Sequence, residues 1–321
     1  MRYIKTPAAP QSVELSRIIL GSTHFGTKIP DDEVFRIIDR FADFGGTAID
    51  TARVYGDWQN TGNAASERVV GQWLKNSGKR NRFTLITKGA HYRLATPFTS
   101  RVKPECIIED IELSLKNLGF PIDLYLLHRD DPTVPVEEIM PVLDRYVKAG
   151  DIRAIGASNW THERIDEANN FAGENGFARF VASEIQWSLA HIDSEALPKM
   201  LGVGVKGVNA GECEKYMNSD IPLLAFTSIT WGYFSKLLNG QQSLHHEELS
   251  TPENLRRAEI VRKWSEKTGA SATAISVAYI ASHPQINAAA CVGASNGEQV
   301  ADFMAAADLV LPQEFFDEIE S

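Results

Sequence analysis

Residues 83–88, Phe-Thr-Leu-Ile-Thr-Lys, and residues 123–128, Asp-Leu-Tyr-Leu-Leu-His, are two of three successive apolar runs that carry an ionisable side chain at their end. The first run of the three is Ala-Ile-Asp-Thr at residues 48–51. A strand that is buried on both faces has no reason to end in an ionisable group unless that end faces a site. In a parallel barrel, the C-terminal ends of the strands converge on one mouth. The three runs therefore predict a barrel whose mouth collects an acid, an ammonium and an imidazole.

Strand-like and helix-like segments alternate along the whole chain, which favours a parallel α/β fold. The predicted strands are 17–22, 48–52, 83–88, 122–127, 152–157, 179–186, 222–227 and 286–292. The predicted helices are 31–44, 65–76, 104–118, 135–149, 162–175, 253–268, 272–282, 297–307 and an acidic tail helix at 312–321. Eight β units with helices between them predict a (β/α)₈ TIM barrel, in which residues 1–321 form a single domain.

Two stretches are harder to interpret. Residues 200–220 are the least regular, with one helical turn predicted near 213–217, and residues 232–251 are predicted to form a long loop. A doubly wound open sheet is the alternative fold, but it needs a glycine-rich turn after the first strand, which residues 22–26 do not provide. Gly202–Gly207 matches G-x-G-x-x-G, yet it follows a poor strand and precedes a poor helix start, so we predict a loop there.

Composition limits the possible functions. The net charge of −10 and the pI near 5.4 argue against nucleic acid or an anionic membrane as a partner. Three scattered cysteines without metal-type spacing fit reduced thiols, and no signal peptide or membrane-length apolar stretch is visible. We therefore expect a cytoplasmic protein without a metal site.

Four residues expected at the barrel mouth form a chemically consistent set: Asp50, Tyr55, Lys88 and His128. The ordinary pKa of a tyrosine, ~10, is too high for proton transfer near neutrality, and an adjacent ammonium lowers it. Asp50 can keep a buried Lys88 charged, so Asp50, Lys88 and Tyr55 form a tuned acid while His128 bonds a substrate oxygen. The purely structural alternative is a strand-end salt bridge with the two rings packed beside it.

The sequence resembles the aldo-keto reductase family through most of its length. The matching segments are 50–56 followed by Ser66-Glu67, Thr87-Lys88, 123–128, 152–159 and Glu184-Ile185-Gln186. Several motifs in the family's order are more specific than any one of them. The resemblance implies that Asp50, Tyr55, Lys88 and His128 are the catalytic tetrad, with Tyr55 as the general acid.

The resemblance also implies a nicotinamide cofactor. Ser158, Asn159 and Gln186 would bond its carboxamide, and Phe226 would stack on its ring. The segment after strand seven (Thr227, Ser228) and the one after strand eight (Gly293, Ala294, Ser295, Gln299) would hold the rest, with backbone N–H groups receiving a phosphate. The family implies NADP(H), but residues 291–300 contain no Lys or Arg. NAD(H) is therefore not excluded.

The expected function is hydride transfer between a nicotinamide dinucleotide and a small aldehyde, ketone or alcohol, including sugar-like ones. Aromatic residues in the expected mouth loops are candidates for the substrate pocket, namely Phe25, Trp58, Trp160, Trp187 and Trp231. Two alternatives stay open: a cofactor-binding regulatory subunit without significant turnover, and a Schiff-base lyase that uses Lys88.

Overall fold

The computed structural model describes residues 1–59 and 63–321 and shows a closed barrel of eight parallel strands. The barrel strands are β3 (Ile18–Gly21), β4 (Ala48–Asp50), β5 (Thr84–Gly89), β6 (Ile122–Leu127), β7 (Ile152–Ser158), β8 (Phe180–Gln186), β9 (Leu223–Phe226) and β10 (Ala288–Gly293). They pair in chain order, and β10 closes the ring against β3. This confirms the predicted (β/α)₈ barrel and all eight of its strands.

An antiparallel hairpin, β1 (Tyr3–Lys5) and β2 (Glu14–Ser16), precedes the barrel. The sequence interpretation missed it because each strand has only three residues. Ile4, Val13 and Leu15 of this hairpin pack with the residues that fill the barrel interior. Thr84, at the N-terminal end of its barrel strand, donates a hydrogen bond to the carbonyl of Glu14. The hairpin therefore covers the bottom of the barrel and leaves the opposite end for a site.

Helices surround the barrel. They are α1 (Asp31–Asp43), α2 (Ala65–Ser77), α3 (Pro104–Leu118), α4 (Val136–Ala149), α5 (His162–Asn175), α6 (Leu197–Leu201), α7 (Ala210–Met217), α8 (Tyr233–Leu238), α9 (His246–Leu249), α10 (Pro252–Thr268), α11 (Ala272–Ala281), α12 (Gly297–Met304) and α13 (Gln313–Glu320). The predicted long loop at 232–251 was wrong in part, because it contains α8 and α9. Residues 202–207 follow α6 as a turn segment, as predicted. No helix within the described residues is long and apolar enough to cross a membrane.

The strand period of two decides which side chains enter the barrel. Ile86, Leu124 and Ala182 belong to the interior core, whereas Leu85 and Tyr125 belong to the core between strands and helices. Counting in twos toward the mouth from the interior residues gives the top inward layer. Its members are Asp50, Lys88, His128, Ser158, Glu184 and Phe226. The fold therefore presents mostly polar groups at the C-terminal end of an apolar interior.

Candidate active site

A buried ion triad lies beneath the barrel mouth. The Lys88 ammonium contacts the carboxylate of Asp50 and lies 3.2 Å from Glu184 Oε1. It also donates a hydrogen bond to the carbonyl oxygen of Thr51 at 3.2 Å. All three charged side chains are buried, and Lys88 is 0% exposed. Two carboxylates thus share one ammonium in a place that water does not reach.

The triad holds one proton more than the simple ion pair expected from the sequence. Burial raises the pKa of Glu184 to about 8; the neighbouring Asp50 acts in the same direction, and Lys88 acts against both. Burial also raises the pKa of Asp50, against the effect of Lys88, but the closer contact with Lys88 makes Asp50 the ionised partner. Burial alone would lower the pKa of Lys88, yet the two acids raise it well above its ordinary value. Lys88 is therefore charged at neutral pH.

Sequence reasoning missed Glu184 as a site residue. It was quoted only as part of a matching segment, although its position on β8 has the inward parity of Ala182. That parity, counted from the apolar interior, was the available signal. Glu184 Oε2 is buried and has no hydrogen-bond partner among the described residues, and the side chain lines the cavity described below. A buried, unpartnered carboxyl oxygen at a cavity wall is costly unless something there uses it.

Tyr55 follows β4 on a tight loop above Lys88. Its hydroxyl lies 3.5 Å from the Lys88 ammonium, which is 5.2 Å from the ring centroid. The loop is fixed by hydrogen bonds from Tyr55 N to the Ala52 carbonyl and from Ser66 N to the Tyr55 carbonyl. Gly56 is required here because its φ is +105° and an added Cβ would lie 2.7 Å from the Ala65 Cβ. The Tyr55-Gly56 and Ser66 elements of the motif are thus parts of one turn.

The expected lowering of the tyrosine pKa is wrong in its net direction. Burial raises the pKa of Tyr55 to about 12, and Lys88 offsets only part of that effect. The physical reason is that burial disfavours a phenolate more than one shared ammonium favours it. Tyr55 is consequently a protonated phenol throughout the neutral range, ready to donate its proton.

His128 lies directly after β6 and faces Tyr55 edge-on, with ring centroids 5.9 Å apart. Burial lowers the pKa of His128 well below its ordinary value, and His91 and Arg129 lower it further. The imidazole is therefore neutral. Its Nδ1 is buried without a partner among the described residues. A neutral imidazole therefore lies beside the phenol, and its Nδ1 can still form a hydrogen bond.

A cavity of about 310 Å³ opens above these groups, and we call it the mouth cavity. It is lined by Thr23, Val54, Tyr55, Trp58, His91, Tyr92, Leu94, His128, Arg129, Ser158, Asn159, Glu184, Leu201, Val205, Phe226 and Thr227. Lys88 and Asp50 lie behind this wall. The structure thus brings the four predicted catalytic residues together, two at the surface of the cavity and two beneath it. Among the described residues, no group of three or more His, Cys, Asp or Glu could hold a metal ion.

Four of the predicted cofactor residues line the mouth cavity: Ser158, Asn159, Phe226 and Thr227. The Asn159 amide is already engaged, because Nδ2 donates to the His128 carbonyl and Oδ1 accepts from Lys206 N. Gln186, the third residue predicted to bond the carboxamide, is not among the residues that line the cavity. Its side-chain amide donates to Ser188 Oγ at 3.1 Å. Glu184, two residues earlier on the same face, lines the cavity instead.

The remaining predicted cofactor residues lie outside the mouth cavity, around the end of β10. Ser228 donates to the Cys291 carbonyl, Ala294 is buried, and Gly293 is exposed. The backbone N–H groups predicted to receive a phosphate form internal hydrogen bonds here, since Ser295 N donates to Gln299 Oε1 at 2.7 Å. Gln299 N likewise donates to the Asn296 side chain. Two of the N–H groups at the start of α12 are therefore satisfied internally.

Backbone strain concentrates at the loops of this mouth. Asn159 has a φ of +61°, Thr227 of +53°, Thr230 of +49° and Trp231 of +54°. Positive φ is a genuine outlier for a β-branched residue such as threonine. Strained residues of this kind cluster at functional sites, where the surrounding structure enforces them. The loop after β9 is thus held in a special conformation next to Phe226.

Most of the aromatic residues predicted for the substrate pocket do not line the mouth cavity. Trp160 is 0% exposed and donates its indole N–H to the Arg129 carbonyl. Trp187 packs against Tyr279 and His283 in the core between strands and helices. Buried Phe25 lies outside the lining, and Trp231 stacks on His245. Trp58, 39% exposed, lines the cavity as expected.

Comparison with known proteins identifies the family of this chain. Residues 17–321 match the model of the Aldo/keto reductase family. The chain belongs to the aldo/keto reductase family. As a member, it is assigned to the NAD(P)H-dependent reductases.

Several curated relatives show how far the similarity extends. A putative voltage-gated potassium channel subunit beta of Schizosaccharomyces pombe is 28% identical over 284 residues, which cover 84% of this chain and 77% of the relative. The aldo-keto reductase YhdN of Bacillus subtilis is 39% identical over 50% of this chain and 48% of its own length. An aryl-alcohol dehydrogenase [NADP(+)] of Phanerodontia chrysosporium is 29% identical over 57% of this chain and 51% of its own length. The matches to the last two thus span about half of each relative.

Proposed function

We propose that this aldo/keto reductase reduces a small aldehyde or ketone, or oxidises the corresponding alcohol, with Tyr55 as the general acid and base. The main support for the proposal is the position of the Tyr55 hydroxyl. The Tyr55 hydroxyl is at the wall of the mouth cavity, 3.5 Å from a buried ammonium and beside a neutral imidazole. When bound, a nicotinamide dinucleotide supplies or accepts the hydride.

In the direction of reduction, Tyr55 donates its hydroxyl proton to the carbonyl oxygen of the substrate. With a pKa of about 12, Tyr55 is a full proton donor at neutral pH. The Lys88 ammonium stabilises the phenolate that remains, and it is already in place before the transfer. Neutral His128 orients the same oxygen by hydrogen bonding. Asp50 and Glu184 hold Lys88 charged and fixed.

The residues present fit a nicotinamide group. Its carboxamide needs both donors and acceptors. The Ser158 hydroxyl and the unpartnered Glu184 Oε2 at the cavity wall offer them, since the Asn159 amide is engaged elsewhere. Phe226 supplies an apolar face in the lining of the same cavity.

The choice between NADP(H) and NAD(H) depends on a cation near α12. Residues 291–300 supply none, but the Arg40 side chain on α1 comes close, with its Cγ 3.9 Å from the point where a Gly297 Cβ would stand. Arg40 is exposed and stacks on Phe44 at 4.6 Å. We propose that both cofactors bind and that NADP(H) is preferred only modestly, as an exposed charge contributes little.

The test is reduction of an aromatic aldehyde, followed by the loss of reduced nicotinamide absorbance. Tyr55→Phe keeps the ring and removes the proton donor. We expect turnover to fall by ~10²–10⁴-fold, as is usual for loss of general acid–base catalysis, while cofactor affinity changes little. Trp58→Phe, another ring change in the same cavity, is the matched control and should cost much less. Near-normal turnover in Tyr55→Phe would rule out the assigned role.

A cofactor-binding subunit is the second candidate function, because one relative is described as a putative channel subunit. Cofactor binding without turnover of any aldehyde would support it. The Schiff-base lyase is disfavoured, since Lys88 is charged, fully buried and behind the cavity wall.

We further propose that residues 1–321 form one domain, which the continuous core from Ile18 to Ile319 supports. We also propose a cytoplasmic location, which the three free cysteines support.

A further inference from the structure

Arg129 is a cation in the wall of the mouth cavity, directly after His128. Its guanidinium donates to two backbone carbonyls, through Nη1 to His128 at 3.0 Å and through Nε to Val203 at 3.2 Å. Its Cζ also lies 5.7 Å from the centroid of the Tyr92 ring. Among residues 1–59 and 63–321, no carboxylate forms a salt bridge with it. An arginine has five N–H donors, so these contacts leave donors for another group.

The other ionisable groups of the cavity wall do not balance this charge. Burial, with Arg129 nearby, lowers the pKa of His91 to about 3, so His91 is neutral like His128. Glu184 is paired with Lys88, which it shares with Asp50. With Glu184 protonated, that triad is neutral and Arg129 gives the wall a charge of +1. The wall is thus positive in a chain whose net charge is −10.

The stem of Arg129 is held in place, which gives the charge a fixed position. Its Cδ lies 3.3 Å from the point where a Gly204 Cβ would stand, and Gly204 has a φ of +76°. A side chain at 204 would thus press on the arginine as well as strain the turn. The loop after α6 therefore approaches Arg129 closely and accepts one of its hydrogen bonds through Val203.

We propose that Arg129 is the binding subsite for an anionic group on the carbonyl substrate, and that the preferred substrates are aldehydes or ketones that carry one carboxylate. This proposal rests on the proposed reductase function. The planar guanidinium fork suits a carboxylate, which accepts paired hydrogen bonds. The apolar part of the same wall suits a short aromatic or aliphatic body between the two groups; it is formed by Trp58, Leu94, Leu201, Val205 and Phe226.

The experiment compares 4-carboxybenzaldehyde with its neutral counterpart 4-formylbenzamide, which has nearly the same shape. A charge-assisted hydrogen bond contributes ~1.5–3 kcal/mol, so kcat/KM should favour the carboxylate by about 10- to 100-fold. The preference should appear mainly in KM and weaken as salt is added, because salt screens a partly exposed pair. Glyceraldehyde 3-phosphate against glyceraldehyde tests whether phosphate is accepted at the same place.

The Arg129→Met variant keeps the apolar stem and removes the charge. It should bring the ratio of the two kcat/KM values close to one, and Arg129→Lys should restore part of it. The matched control is Lys206→Met, which removes a cation from the loop after α6, outside the lining of the cavity. That control should keep the preference, since direct contact and not the general field is responsible.

The outcomes are distinct. Turnover of 4-formylbenzamide equal to that of 4-carboxybenzaldehyde in the wild type overturns the anion subsite and leaves the reductase function standing. Absence of turnover with every aldehyde overturns the reductase function itself. A preference that persists in Arg129→Met, or that disappears equally in Lys206→Met, also overturns the role of Arg129. Should Arg129→Met not fold, the wild-type ratio and its salt dependence still decide.

Discussion

Glu184→Gln should change how the stability of this protein depends on pH. The ordinary pKa of Glu184 is 4.5, and burial next to Asp50 raises it to about 8 in the folded chain. The folded state therefore binds a proton that the unfolded state has lost between these two values. It follows that the stabilising effect is complete below pH 4.5 and is lost as the pH rises through about 8.

The size of the effect follows from the same pKa values. Each pKa unit corresponds to ~1.4 kcal/mol, so ionised Glu184 costs the folded protein up to about 5 kcal/mol above pH 8. Glutamine has the same shape, keeps an oxygen for Lys88 and cannot ionise. The variant should therefore gain stability relative to the wild type as the pH rises. The difference between their free energies of unfolding should grow by roughly 3 kcal/mol from pH 5.5 to pH 7.5.

Urea unfolding followed by tryptophan fluorescence at several pH values measures this difference. Glu247→Gln removes the same charge at an exposed position and serves as the matched control, with a curve parallel to the wild type. If the Glu184→Gln curve also runs parallel to the wild type from pH 5.5 to 7.5, Glu184 does not hold a proton and the description of the triad is wrong.

Three further predictions concern the cation, the cofactor and the core. Lys88→Met removes the group that lowers the pKa of Tyr55, so activity should fall and the basic limb of its pH profile should move upward; full activity with an unshifted profile would contradict the role of Lys88. Dissociation constants for the two cofactors should favour NADP(H) by less than ~100-fold, or 2.7 kcal/mol, and Arg40→Gln should reduce the difference; a larger preference means that a further cation binds the phosphate. Trp160→Ala should destabilise the fold by ~3–5 kcal/mol, the usual cost of deleting a buried tryptophan, in urea unfolding; a change below 1 kcal/mol would show that the site is not closely packed.

Much of the fold follows from the sequence because a parallel barrel repeats a local pattern. Each strand is a short apolar run with a turn signal after it, and α3, β6 and α5 begin and end at the predicted residues. The period of two then fixes which side chains enter the barrel. Asp50, Lys88 and His128 could be placed at one mouth for this reason, before any contact was known.

Other features depend on contacts that no local pattern contains. The proton on Glu184 exists because two carboxylates from β4 and β8 meet one ammonium from β5, far apart in the chain. The net rise of the Tyr55 pKa likewise depends on how much burial the assembled mouth imposes.

Loop side chains were the least predictable part. The directions of Trp160 and Trp187 are not set by a strand period but by what packs around them, and both rings turned into the core. Arg129 became a cavity cation only because the loop after α6 closes over it. The sequence by itself thus determined the barrel and the inward residues, since both follow from local periodicity. The tertiary structure alone decided the charge balance and the cavity wall, because both depend on distances between residues remote in sequence.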